Sequence, residues 1–481
     1  MKTASGEKAG SGLPGRNKIK MMDNSFNPVR LLGILDSSEG VSTDSRTIRP
    51  GEIFFALKGD NFDGNAYAID ALRKGARFAV VDRRSRAADI LAGGTEPDFS
   101  ERYMLSDDTL QSLQELARLH RSRFDIPLIL LTGTNGKTTT KELLRSVLSM
   151  RYDTLSTEGN LNNHIGLPLT LLRLGRDTRI AVIEAGANHP GEIAALASMA
   201  MPGYGLVTNV GIAHLEGFGS FEGVKKAKGE LYDYLLETGG KAFLNADDPL
   251  LTGMASERPG LSVIRYGLAF QGAYAVHASG GEICMGLSLP EDITPDCACG
   301  AAGGRMLSVQ TALAGDYNAA NVMAAINVGL YFGVPLKDCL KAVGAYRPSN
   351  RRSQLVHTGR NTVILDAYNA NPSSMRASIA NFASLDVPDK IMVLGDMLEL
   401  GAYSEEGHSM IVDMVSRMDF RVCCFVGREF ARFRDKGDPR FVFFGNADAA
   451  AGYFAADPPS GATVLVKGSN GVGLSRIVDV L

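Results

Sequence analysis

Apolar and polar positions along this chain alternate between short, continuous apolar runs and longer stretches that are apolar every three or four residues. Pro127–Leu131 and Ile180–Glu184 are runs of the first kind. They suit strands buried on both faces of a parallel sheet. Further strands are predicted at Glu52–Leu57, Phe78–Asp82 and Leu206–Asn209. A second series follows at Thr362–Asp366, Ile391–Gly395, Val422–Gly427 and Thr463–Lys467. The helical period predicts helices at Ala66–Lys74, Asp107–Phe124, Glu192–Met199, Phe221–Leu236 and Asn318–Phe332, with another over about 138–150. Strand and helix in turn argue for doubly wound α/β sheets.

The rhythm is interrupted twice. Leu268–Gly304 is Gly-rich and irregular and reads as a β-rich insertion, with no functional reading for Ala278–Gly304. Tyr346-Arg347-Pro348-Ser349-Asn350 has turn composition and reads as a hinge before the second series. Residues 1–22 carry five basic residues and one acid without the apolar core of a signal peptide. They read as a disordered leader, with Met21 or Met22 as an alternative start. The expected division is 23–106, 107–347 and 348–481, about what 481 residues allow at ~150 per domain.

Composition changes this picture little. A hydrophobic fraction of 45% and a charged fraction of 21% are those of a globular protein. A net charge of -3 gives no electrostatic case for nucleic acid or a membrane surface, and no apolar run approaches the ~18 residues of a span. The cysteines at 284, 297, 299, 339, 423 and 424 form no paired metal pattern and read as free thiols of a reducing cytosol.

The chemistry concentrates at Gly133-Thr134-Asn135-Gly136-Lys137-Thr138-Thr139, between a predicted buried strand and a predicted helix. Such a loop aims backbone N–H groups and a helix N-terminus at phosphates. Lys137 is placed to meet the β- and γ-phosphates and the Thr138 hydroxyl to hold Mg²⁺. The loop is shorter than the general phosphate-binding loop, because Leu131 stands where its first glycine belongs. Glu184 ends a strand where such proteins carry a Mg²⁺-contacting acid, and reads equally as a surface acid capping a turn. His214 falls in a carboxyl-edge loop, where ligands bind and where many histidines are merely exposed. Lys228 flanks the stripe Val224, Ala227, Leu231 and Leu235, and periodicity alone makes it a solvated lysine.

Longer strings carry a resemblance. Asp44-Ser45-Arg46 with Pro50–Leu57, the short phosphate loop, Gly159–Gly166 around Asn162-Asn163-His164, Gly186–Glu192, His214–Ser220 and Asp366–Pro372 resemble the Mur ligases over nearly the whole chain past the leader. The resemblance implies an α/β protein of three domains: a small α/β UDP-binding domain, a central P-loop doubly wound sheet and a C-terminal Rossmann-like α/β domain. It implies ATP-dependent joining of D-alanyl-D-alanine to UDP-N-acetylmuramoyl-tripeptide through an acyl phosphate, in the cytoplasm, by a monomer. It also implies Mg²⁺ at two sites, one served by Thr138 and Glu184, the other by His214 and a carbamylated Lys228. Lys137, Lys228 and His214 take catalytic roles. Gly133–Thr139, Asn321, Arg352 and Asp366 take the nucleotide, with Asn321 near adenine, Arg352 on phosphate and Asp366 on ribose. Ser45, Arg46, Asn162, Asn163 and His164 take the muramoyl substrate. Asn470 departs from the pattern, standing where many members carry arginine. A sister ligase and a P-loop ATPase acting as a switch are the rival readings, although no Asp-Asn-Pro-Arg segment of the diaminopimelate-adding members is present.

Overall fold

Every residue of Leu128–Thr132 and of Ile180–Glu184 is buried, and the two strands pair in parallel at the middle of a six-stranded sheet. The computed structural model describes residues 24–93, 96–276, 283–298, 305–387 and 389–481. The expected leader lies outside these, as do Cys299 and, in the Gly-rich insertion, residues 277–282 and 299–304. The chain divides into two compact units, Met1–Leu116 and Ala117–Leu481.

The first unit is built on four parallel strands in the order Val41–Ser42, Ile53–Phe55, Phe78–Asp82, Tyr103–Ser106. The predicted helix at 66–74 appears as a 3-10 turn, Gly64–Tyr67, running into an α-helix, Ala68–Arg73. Asp63 starts the turn by accepting from the backbone N–H of Asn65.

The second unit holds two larger sheets. One has the order Ser262–Tyr266, Lys241–Asn245, Tyr204–Val207, Leu128–Thr132, Ile180–Glu184, Thr154–Ser156, all parallel. The chain leaves Leu128–Thr132 toward one edge and later returns to pair on its other side. The carboxyl ends at that reversal form a crevice, where open α/β sheets bind ligands. Helices Lys137–Leu148 and Ala319–Tyr331 contribute Leu143, Leu144, Val147, Val322 and Ile326 to the core of this sheet. The insertion is a three-stranded antiparallel sheet, Tyr274–Val276, Cys284–Pro290 and Met306–Ala314, in agreement with the β-rich expectation.

The other sheet has the order Gln354–His357, Thr362–Asp366, Thr463–Lys467, Lys390–Gly395, Val422–Val426, Phe441–Phe444. Its first strand is antiparallel and the others parallel. The expected α/β class therefore holds throughout. Edge strands account for most of what the pattern missed: Thr154–Ser156 and Phe441–Phe444 are short and partly exposed, and the first shows no continuous apolar run.

Candidate active site

The loop after Leu128–Thr132 is held in place by the end of the neighbouring strand. The Thr134 N–H donates to the Asn209 carbonyl (2.9 Å) and the Asn135 N–H to the Asn209 side-chain oxygen (3.0 Å). The Thr208 hydroxyl donates to the Asn135 carbonyl (2.6 Å). Two glycines permit this path. Gly133 has φ 140°, and a Cβ there would sit 2.0 Å from the Thr208 Oγ1. Gly136 has φ 79°, and a Cβ would sit 2.8 Å from the Asn321 Oδ1. The Lys137 ammonium folds back over the loop, donating to the carbonyls of Gly133 (2.7 Å) and Thr134 (3.2 Å). Burial pushes its pKa down, Glu184 opposes this, and Arg352 adds to the lowering.

Behind the loop, the Thr138 hydroxyl donates to the Glu184 Oε2 (3.1 Å) and the Asn162 side-chain N–H to the Oε1 (2.8 Å). Glu184 is 1% exposed, which overturns the surface-acid alternative. A buried carboxylate beside a threonine hydroxyl at the head of a phosphate loop is a donor set suited to Mg²⁺. Among the described residues no group of three or more His, Cys, Asp or Glu side chains converges. A divalent ion here would be completed by hydroxyl, phosphate or water oxygens, which is how Mg²⁺ is ordinarily held beside nucleotides.

Lys228 is 2% exposed, so the solvated reading from periodicity fails. Its ammonium lies over the Phe218 ring, 5.4 Å from the centroid. Burial, with the charge of Lys137 second, lowers its pKa to about 7. A lysine that is substantially neutral at physiological pH can act as a nucleophile toward carbon dioxide, so the residue fits a carbamate. The helix periodicity missed this because the cover comes from the separate short helix Leu215–Phe218.

The carboxyl edges of both sheets line a single cavity of about 730 Å³. Residues 134–139, Glu184 and His214 come from one edge, and Asp366, Glu399 and Lys467 from the other. The His214 Nδ1 meets the Glu399 Oε2 at 2.8 Å. That hydrogen bond lowers the Glu399 pKa. Asp366 pairs with Lys467 at 2.6 Å, and Lys467 is 1% exposed. The Arg352 guanidinium stacks on the Tyr368 ring at 4.0 Å, while its Nε is buried without a partner. Arg352 lies between two non-glycine residues at positive φ, Arg351 (57°) and Ser353 (48°).

Several of the expected contact residues also hold the local structure. Asn321 lines the cavity, but its side-chain oxygen accepts from the Thr140 hydroxyl and its nitrogen donates to Asn318, both at 3.0 Å. Its evident task is to back the Gly136 turn. Asn163 caps the helix Gly166–Leu171 by accepting from the backbone of Ile165 and Gly166. His164 and Thr139 lie on the cavity wall. Asn470 also lines the cavity, so the expected arginine position does face the site. Ser45 and Arg46 lie on the first unit. There Arg46 is bidentate to Asp44, holding that carboxyl at about 2, and the Ser45 carbonyl accepts from Lys74 (3.1 Å). Asn209, Asn371, Glu399 and Lys467 were missed as site residues. Asn371 sits inside a motif string and Lys467 ends a predicted strand, whereas Glu399 carries no local signal beyond following a strand.

Three family models match in chain order: the Mur ligase family catalytic domain at residues 38–121, the Mur ligase middle domain at 131–329, and the Mur ligase glutamate ligase domain at 351–470. The UDP-N-acetylmuramoyl-tripeptide–D-alanyl-D-alanine ligase of Bacillus subtilis (strain 168) is 35% identical over 77% of this chain and 76% of its own. The chain belongs to the Mur ligase family. The ligase of the same name from Synechocystis is 32% identical over 97% of this chain and 98% of its own. The crystal structure of MurF from Acinetobacter baumannii superposes with a TM-score of 0.78 at 27% identity, covering 94% of this chain and 97% of that one. This Mur ligase therefore matches dipeptide-adding relatives along nearly its whole length, in sequence and in fold. Among its described residues no helix is long and apolar enough to cross a membrane.

Proposed function

We propose that this Mur ligase joins D-alanyl-D-alanine to UDP-N-acetylmuramoyl-tripeptide at the expense of ATP. The observation that carries the reading is the single cavity in which both sheets direct their carboxyl edges at the short phosphate loop. The names of the Bacillus and Synechocystis relatives supply the substrates.

The tripeptide's terminal carboxylate oxygen attacks the γ-phosphorus, and the bond to the β-phosphate oxygen breaks to release ADP. The dipeptide amine then attacks the acyl carbon of the resulting acyl phosphate. The carbon–oxygen bond breaks, phosphate leaves, and the amine loses a proton. Two anions must meet in the first step, so the site's work is positioning and charge compensation. Lys137 leaves its loop carbonyls to reach the transferring phosphate. Arg352, held flat on Tyr368 with an unsatisfied Nε, offers a second donor from the C-terminal sheet. Asp366 takes the ribose and Asn321 holds the loop beneath adenine. Mg²⁺ at two sites would screen the phosphate charge, with Thr138 and Glu184 at one and His214 with carbamylated Lys228 at the other. Asn162, Asn163 and His164 would face the muramoyl peptide, and Ser45 and Arg46 the uridine end. The division at 23–106, 107–347 and 348–481 then assigns UDP, ATP and dipeptide to successive domains. Closure would keep water from the acyl phosphate. A monomer in the cytoplasm meets the needs of these soluble substrates.

The test is phosphate release from ATP by the purified protein with both substrates and with each omitted. Release only with both, with a UDP-pentapeptide product, supports the reading. Release with neither moves the protein to the ATPase reading, and release with a single amino acid in place of the dipeptide moves it to a sister ligase.

A further inference from the structure

His214 and Glu399 meet from opposite sheets, and both stand in backbone conformations that ordinary residues avoid. His214 has φ 51° and Glu399 φ 68°. Non-glycine residues at positive φ are strained, and they persist where the surroundings demand them. Here each turn aims a side chain across the cavity at the other.

The loop that carries Glu399 is firmly seated. The Met397 N–H donates to the His408 Nε2 (3.0 Å) and the Leu398 N–H to the Ser469 hydroxyl (3.0 Å). The Asp396 carboxylate accepts from the backbone of Glu429 and Phe430, each at 3.0 Å. On the other side, a Cβ on Gly401 would lie 3.2 Å from the Glu216 Cβ, and the Tyr403 hydroxyl donates to the Gly219 carbonyl (3.4 Å). The facing surfaces of the two loops are therefore matched around the His214–Glu399 contact.

We propose that Glu399 is a positioning residue for His214: it accepts the Nδ1–H, fixes the ring and its tautomer, and leaves Nε2 with the lone pair a ligand needs. A histidine that binds a metal commonly donates its other N–H to a carboxylate in this way. Because Glu399 belongs to the C-terminal sheet, His214 is set only when the two sheets meet. The proposal rests on the function proposed above and adds a residue to its site.

Glu399→Ala and Glu399→Gln test it. The Glu399 side chain is 58% exposed, so neither change empties a core. Glutamine keeps an acceptor for the Nδ1–H and alanine does not. Three quantities are read: kcat, the Mg²⁺ concentration for half-maximal turnover, and the ring ¹⁵N shifts of His214, assigned by difference from His214→Asn. In Glu399→Ala, kcat should fall about 10–100-fold, the Mg²⁺ requirement should rise, and the shifts should move from the Nδ1–H form toward the Nε2–H form. Glu399→Gln should restore most of all three. If any of the three stays at its wild-type value in Glu399→Ala, the proposal is overturned. A wild-type protein without ligation would instead overturn the proposed function, and the ¹⁵N shifts would still decide whether Glu399 sets the ring.

Discussion

The Asn371 side-chain amide donates to the Asn135 side-chain oxygen at 2.8 Å, tying the C-terminal sheet directly to the phosphate loop. Asn371 also caps its own helix through a reciprocal bond with Ser374. These two tasks separate by substitution. Asn371→Ser keeps a capping oxygen but falls short of Asn135. Its melting temperature should stay near wild type while turnover drops about tenfold, the effect of ~1.4 kcal/mol lost from the transition state. Asn371→Ala should lose a further ~1 kcal/mol of stability with the cap. Full turnover in Asn371→Ser would show that the loop does not need this tie.

Lys228 titrates near 7 because it is buried. Its folded pKa lies below the 10.5 of a free lysine, so the fold favours the neutral amine. Stability should therefore rise as pH climbs from about 7 toward 10.5, where the unfolded chain still holds the proton. A carbamate needs the neutral amine, so a ¹³C-bicarbonate carbamate signal should weaken as pH falls through about 7. Lys228→Ala should lose both signal and turnover, with turnover partly rescued by short carboxylic acids. Undiminished activity in Lys228→Ala would rule out the carbamate.

Gly136→Ala forces a side chain into left-handed backbone and against Asn321. Strain of about 1–2 kcal/mol follows from the backbone alone. Nucleotide affinity, measured by calorimetry, should fall by more than the stability change predicts, because the Asn321 network backs the same turn. Equal nucleotide affinity in the variant and the wild type would exclude this coupling.

Lys467→Met removes the partner of Asp366 from a nearly solvent-free position. Losing one member of a buried pair costs about 3 kcal/mol, since the remaining charge is uncompensated. Urea unfolding should register this loss. The double variant with Asp366→Asn should recover part of it, although not the activity. A Lys467→Met protein as stable as wild type would mean water already reaches Asp366.

The sequence showed the sheet centres and the phosphate loop because both are local. Leu128–Thr132 is an unbroken apolar run, and the glycines that let the loop turn stand beside it. What it hid depends on partners far along the chain. Lys228 looked solvated because the Phe218 ring over it belongs to another helix. Glu399 gave no signal because its partner is a histidine on the opposite sheet. The resemblance, by contrast, named most of the cavity wall, since motif strings record residues that tertiary structure brings together.

Ser353 ties the two sheets of the second unit together. Its hydroxyl accepts from the Asn318 amide (3.2 Å) and its carbonyl from the Ala314 N–H (3.4 Å), while the next residue begins the edge strand of the C-terminal sheet. Asp366 ends the strand beside that edge, and Glu399 follows the strand three places from it. A rotation about Ser353 would therefore carry Glu399 farther than Asp366. The His214–Glu399 contact would then be the first of these to part and the last to form.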